Sequence, residues 1–299
     1  MQKITTADQL NSFVDSYDNF LFDCDGVLWE GSNVFPNVRE AMQLLRTKGK
    51  RIFFVTNNST KSREAYLDKF KKLDIEAHLD EIFSSAFATA AYLKNVVKFP
   101  ADKKVYIVGM SGISEELKAE GIRSFGGVED DGARSIDDIT DDPEVGAVVM
   151  GLDVNISYYK YCKAFTFLHN HPERLFLLTN ADSTFPTHGT LFPGAGAIAS
   201  PLITALERKP DAILGKPAQN MLEAILAEYS LDPSKSCMIG DRLDTDIDFG
   251  NRGGLTTLCV LTGVTREDKL LSDSNPIKAT FYIDSFGDFA SLSGSALPN

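Results

Sequence analysis

Short apolar runs alternate with amphipathic stretches from residue 19 onward, and this alternation constrains the fold more than any other feature of the chain. NFLFDCD (19–25), RIFFVT (51–56), KVYIV (104–108), AVVMG (147–151), RLFLLT (174–179), AIL (212–214), SCMI (236–239), LTTLCVL (255–261) and TFYI (280–283) read as strands. Between them, residues 36–48, 62–73, 87–97, 156–170 and 220–229 carry helical spacing. Strand and helix in turn mark a largely parallel sheet covered by helices, so the fold class is α/β. The pattern restarts near Pro100 and passes through an acidic loop at 129–142. That restart predicts an inserted smaller α/β domain at 98–200, flanked by 1–97 and 201–299 as one core, with hinges near 97–100 and 192–200.

Charge narrows the partners. With 30 Lys and Arg against 42 Asp and Glu, the net charge of -12 repels nucleic-acid backbones and anionic lipid. No apolar run approaches the roughly 20 residues of a membrane helix, and the start, MQKITTADQL, has no apolar signal region. The expectation is a protein of the cytoplasm, or of the nucleus, with no nucleic-acid or membrane partner. Cys24, Cys162, Cys237 and Cys259 are widely spaced, without a C-x-x-C pair, and read as reduced thiols.

Ligands of open α/β sheets bind beyond the carboxyl ends of strands, and four such ends here are polar. The first gives Asp23-Cys24-Asp25-Gly26, where the two-residue strand period puts both carboxylates on one side. One can attack phosphorus while the other works as general acid and then base. The second gives Thr56-Asn57-Asn58, whose hydroxyl, amides and backbone N–H groups suit phosphate oxygens. The third places Lys216 directly after a strand, where it can neutralise phosphate and Asp23. The fourth, Gly240-Asp241-Arg242-Leu243-Asp244-Thr245-Asp246, supplies hard oxygen donors suited to Mg2+. Asp23, the backbone carbonyl of Asp25 and Asp241 suffice as ligands, with Asp246 either a further ligand or an orienter of the others. Taken singly, these strings are also an Asp-Gly turn, a helix-capping loop, a solvated lysine and a charged helix start.

In the order D-x-D-G, T-N-N, G-K-P, G-D-x-x-x-x-D, the chain resembles the haloacid dehalogenase-like phosphohydrolases. The resemblance implies a Rossmann-like core, with Asp23 as nucleophile, Asp25 as acid/base, Thr56, Asn57, Asn58 and Lys216 around the phosphate, and Asp241 on magnesium. The position of the insertion resembles the branch with a large α/β cap. Ser84-Ser85-Ala86, Thr179-Asn180-Ala181-Asp182 and Pro193-Gly194-Ala195-Gly196 look like the 4-nitrophenylphosphatase and phosphoglycolate phosphatase group. This implies hydrolysis of small phosphorylated metabolites, with pyridoxal phosphate or a phosphoprotein as the alternative substrate. It also places a specificity loop at 182–188, with Phe185 and Pro186 as an apolar wall, and a homodimer formed through the cap.

The rival class is a nicotinamide dehydrogenase, because Gly194-Ala195-Gly196-Ala197-Ile198-Ala199 fits G-x-G-x-x-A. It follows no clean strand, and no acidic ribose partner follows in the right context. A return from cap to core explains those glycines better. His188, near the expected mouth, reads as a solvated loop histidine.

Overall fold

The computed structural model describes residues 1–187 and 190–293. The chain opens with β1 (Gln2–Lys3), α1 (Ala7–Ser16), β2 (Asn19–Phe22), a small hairpin of β3 (Trp29–Glu30) and β4 (Asn33–Val34), then α2 (Val38–Thr47). Next come β5 (Arg51–Thr56), α3 (Arg63–Lys72), β6 (Ile82–Ser84) and α4 (Ser85–Ala91). A second unit follows with β7 (Lys104–Val108), α5 (Ser111–Ala119), β8 (Ser124–Gly126), β9 (Val145–Met150), α6 (Tyr158–His169) and β10 (Leu175–Leu178). It continues through the hairpin β11 (Thr184–Thr187) and β12 (Thr190–Pro193), α7 (Ala195–Leu206) and β13 (Ala212–Ile213). The last part holds α8 (Gln219–Tyr229), β14 (Ser236–Gly240), α9 (Asp248–Arg252), β15 (Thr256–Val260), α10 (Glu267–Leu271), β16 (Phe281–Ile283) and α11 (Asp288–Leu292).

The larger sheet runs β1-β16-β15-β14-β2-β5-β6, and every pairing in it is parallel. Its strands are apolar on both sides, as a parallel sheet covered twice requires. Phe20, Phe22 and Phe54 face α1, α2, α3 and α11, while Leu21, Phe53 and Val55 face α8 and α9. Strand order reverses between β2 and β14, so their carboxyl ends open a crevice at the switch point. Asp23 follows β2 and Asp241 follows β14, which makes them neighbours although 218 positions apart in the chain.

The smaller sheet runs β13-β10-β9-β7-β8, also parallel. Tyr106, Val148 and Phe176 pack against α6 and α7, and Val105, Ala147 and Leu177 pack against α4 and α5. Helix α7 spans residue 200, and its Ala199 and Leu202 are buried with α6. Strand β13 pairs with β10, and Leu214 after it is buried with the smaller sheet, its N–H bonded to Leu178 O, so the chain stays beside that sheet through residue 214. Likewise Ala86, Ala90 and Leu93 are buried against the smaller sheet, which draws α4 toward that unit. A two-residue strand carries no local signal for which sheet it joins. The second expected hinge, 192–200, falls largely on β12 and α7 rather than on a loop. Among the described residues no helix is long and apolar enough to cross a membrane.

Candidate active site

The site begins where β2 ends. Asp23 donates its backbone N–H to Ile239 of β14 (2.9 Å), and its carboxylate Oδ1 accepts from Lys216 Nζ at 2.7 Å. Lys216 is itself buried, and its Nζ also reaches Val55 O at 2.6 Å and Asp246 Oδ1 at 2.8 Å. All three ammonium donors are thus occupied. Burial works against the lysine's charge, but Asp23 and Asp246 beside it hold its pKa above the ordinary value. Burial pushes the Asp23 carboxyl up to about 7, with Lys216 opposing and Asp246 adding to the rise.

The fourth motif folds back on itself. Leu243–Ile247 forms a single π turn, with Ile247 N–H bonded to Arg242 O at 3.1 Å. Such turns often sit at functional sites. This one returns Asp246 over the end of β14, where Oδ2 accepts the N–H groups of Asp241 (3.1 Å) and Arg242 (3.0 Å). Gly240 is required there, because a Cβ would overlap Asp246. Asp241 Oδ2 accepts from Val264 N–H at 2.7 Å, whereas its buried Oδ1 has no partner. Burial, then repulsion from Asp246 and Asp23, raises the Asp241 carboxyl well above the usual carboxylate range.

Asp23, Asp241 and Asp246 each place a carboxylate oxygen within 4.8 Å of the others. A buried, unpartnered carboxylate oxygen beside two more carboxylates is a donor set that fits a hard divalent cation such as magnesium. Asp25 stands apart from this group. Its Oδ1 accepts from Trp29 Nε1 at 2.8 Å and lies 3.4 Å from Lys69 Nζ, which sits over the Trp29 ring.

The polar cluster after β5 is tied into the protein by its own hydrogen bonds. Asn57 Oδ1 accepts the Lys216 N–H (2.7 Å), and its Nδ2 donates to Lys216 O and Asp182 Oδ1, both at 3.0 Å. Asn58 Oδ1 instead caps Thr60, accepting from its N–H and hydroxyl. The Asn58 N–H goes to Thr56 Oγ1 at 3.1 Å. The Asn57 side chain is therefore committed at both ends, and that of Asn58 at its oxygen.

The cleft above these residues has a volume of ≈ 620 Å³ and is shared between the two units. Asp23, Asp25 and Thr56 line its floor, and Leu152, Asn180, Asp182 and Phe185 line the opposite wall. Phe185 packs edge-on against Phe192, with ring centroids 6.2 Å apart. His188 and the side chain of Pro186 lie outside the described residues. Glycines 194 and 196 approach the backbone of Ala181 and Asp182 so closely that a Cβ would collide with it. Gly194 and Gly196 donate their N–H groups to Ser183 O and Asp182 O. They close the turn between β12 and α7, after an antiparallel hairpin and outside any β-α-β unit, so the dinucleotide reading is withdrawn.

Sequence reading missed four contributors: Val264, Gly263, Arg242 and Asp182 in its role toward Asn57. Arg242 spans the units, with Nη1 on Thr184 O (3.1 Å) and Nη2 on Asp244 (3.0 Å). Only tertiary approach reveals Gly263, where a Cβ would fall inside the Asp241 carboxylate. Gly263→Ala is therefore expected to weaken magnesium binding about 10–100-fold, as removal of a group orienting a metal ligand does. Titration calorimetry with magnesium checks this, and an unchanged affinity would show that Asp241 is not held from that loop.

Comparison with known proteins agrees with this geometry. A family model described as haloacid dehalogenase-like hydrolase matches residues 20–123, and a second model of that kind matches 213–289. A 4-nitrophenylphosphatase of Schizosaccharomyces pombe is 46% identical over 97% of this chain and 98% of its own. Phosphoglycolate phosphatase 2 of Arabidopsis thaliana is 43% identical over 97% of this chain and 98% of its own. Among solved structures, a glycerol phosphate phosphatase from Mycobacterium tuberculosis in complex with magnesium aligns with a TM-score of 0.77 and 26% identity. That alignment covers 97% of this chain and 80% of the other. With these relatives matched over nearly its full length, the chain belongs to the haloacid dehalogenase-like hydrolases.

Proposed function

We propose that this protein is a magnesium-dependent phosphatase that hydrolyses small phosphate monoesters through a covalent phosphate on Asp23. The observation that carries the reading is the switch-point cluster, in which buried Asp23 pairs with Lys216 beside Asp241, whose Oδ1 has no partner. Magnesium bound at Asp23, Asp241 and the Asp25 backbone carbonyl would supply positive charge to the phosphate oxygens. Asp246, with one oxygen on two backbone N–H groups and the other on Lys216, acts as an orienter.

Lys216 opposes the protonation that burial favours at Asp23 and aims the carboxylate for attack on phosphorus. Asp25 gives its proton to the leaving oxygen and then takes one from the water that frees the phosphate. Trp29 and Lys69 hold it at the cleft wall for that work. Because the Asn57 side chain is committed, phosphate binding here falls to the Thr56 hydroxyl, the Asn57 backbone N–H and the Asn58 amide nitrogen, which line the cleft.

The size of the cleft and its half-polar wall suit a compact leaving group. Relatives named as 4-nitrophenylphosphatase and phosphoglycolate phosphatase support 4-nitrophenyl phosphate and 2-phosphoglycolate-like metabolites as substrates. Phosphate release from these, pyridoxal phosphate and a phosphopeptide, with and without magnesium, tests the assignment. Release from the small monoesters only with magnesium is expected, and no release from any member of the panel overturns it. A homodimer through the cap is proposed alongside, and a monomeric mass by light scattering removes that part.

A further inference from the structure

The cap carboxylate Asp182 lies on the loop between β10 and β11, yet one of its side-chain partners, Asn57, belongs to the core. Both of its oxygens lie within reach of Asn57 Nδ2, at 3.0 and 3.3 Å, and Oδ2 also accepts from Asn180 Nδ2 at 3.0 Å. Asn57 has two amide protons. One goes to Lys216 O and the other is shared by the Asp182 oxygens, while Asn57 Oδ1 takes the Lys216 N–H. With these bonds the amide has one orientation, because reversal would set its oxygen against a carboxylate.

The contact is built closely on the core side as well. A Cβ on Gly215 would lie 2.6 Å from Asn57 Oδ1, 2.8 Å from Thr179 O and 2.9 Å from Asn180 Cβ. The end of β10, the Asn57 amide and the backbone of Lys216 thus meet with no spare volume. Beyond that backbone, Lys216 Nζ lies 2.7 Å from Asp23.

We propose that Asp182 is a positioning residue, which through Asn57 and the Lys216 backbone makes the alignment of the Asp23–Lys216 pair depend on the seating of the cap. The inference rests on the role given to Lys216 above. When the cap is seated, Asp182 locks the Asn57 amide and the lysine is set. When the cap lifts, one of the three anchors of that amide is lost. Catalytic geometry is sensitive to displacements near 1 Å, so the effect belongs in turnover rather than in substrate binding.

Kinetics of Asp182→Ala, Asn57→Ala and the double variant test this. Asp182→Ala is expected to lower kcat about 10–100-fold, with KM little changed and the same factor for 4-nitrophenyl phosphate and 2-phosphoglycolate. In the Asn57→Ala background, Asp182→Ala is expected to lower kcat no further, since the link is already cut. Asp182→Asn, which keeps an acceptor oxygen and the side-chain volume, should fall between native and Ala, and it carries the comparison if the Ala variant melts early. Additive losses, or a factor that changes with the leaving group, would overturn the inference and place Asp182 on the substrate instead. A phosphatase that loses activity in Asp23→Asn but shows additive Asp182 and Asn57 effects would sink only the coupling. Turnover that survives Asp23→Asn would sink the mechanism itself.

Discussion

Asp23→Asn is expected to lower magnesium-dependent phosphate release about 10^4-fold or more while the protein stays folded, because an amide of the same shape cannot attack phosphorus. The substitution removes one of three clustered carboxylates and leaves Lys216 paired with Asp246. Repulsion within the cluster falls, so the melting temperature is expected to stay level or rise. Loss of activity with no loss of stability distinguishes a nucleophile from a structural aspartate. Phosphate release and thermal melting on the same preparation check both halves, and a variant that melts early would explain its inactivity without chemistry.

Lys216→Met is expected to fail in both respects. The side chain is among the largest fully buried ones, and it is the cation in direct contact with Asp23 and Asp246. Methionine fills the stem volume but leaves those carboxylates, and the carbonyl of Val55, without their donor. Breaking a buried pair by removing one partner costs about 3–5 kcal/mol. Turnover should fall with it, since Asp23 then binds a proton more readily and loses its aim. Magnesium should raise the melting temperature of the variant by more than that of the native chain, because the cation replaces lost positive charge. Denaturation with and without magnesium reads this directly, and equal stability of the two chains would contradict the burial argument.

Much of the site was legible because its pieces sit at strand ends, where short polar strings interrupt apolar runs. Asp23, Thr56, Lys216, Asp241 and Asp246 were each marked this way; the parallel order of the larger sheet brings four of them to one crevice, and Lys216 enters it from the turn after β13 of the smaller sheet. What the sequence could not display was the partner of each group. The Asn57 amide is held by contacts across 125 and 159 positions, and the Asn58 oxygen by a local Asx turn, neither of which a string of polar residues displays. Gly263 and Val264 carry no pattern at all, and matter only because their loop passes the Asp241 carboxylate. Ala212–Ile213 is likewise too short for periodicity to assign, and its sheet is decided by pairing with β10.

A covalent phosphate on Asp23 is the step on which hydrolysis here depends, and borohydride trapping during turnover reads it out. Borohydride reduces an aspartyl phosphate to homoserine, which peptide mass spectrometry locates in the sequence. Homoserine is expected at position 23, formed only when substrate and magnesium are both present. Turnover that proceeds with position 23 unmodified, or with another carboxylate reduced instead, would contradict it.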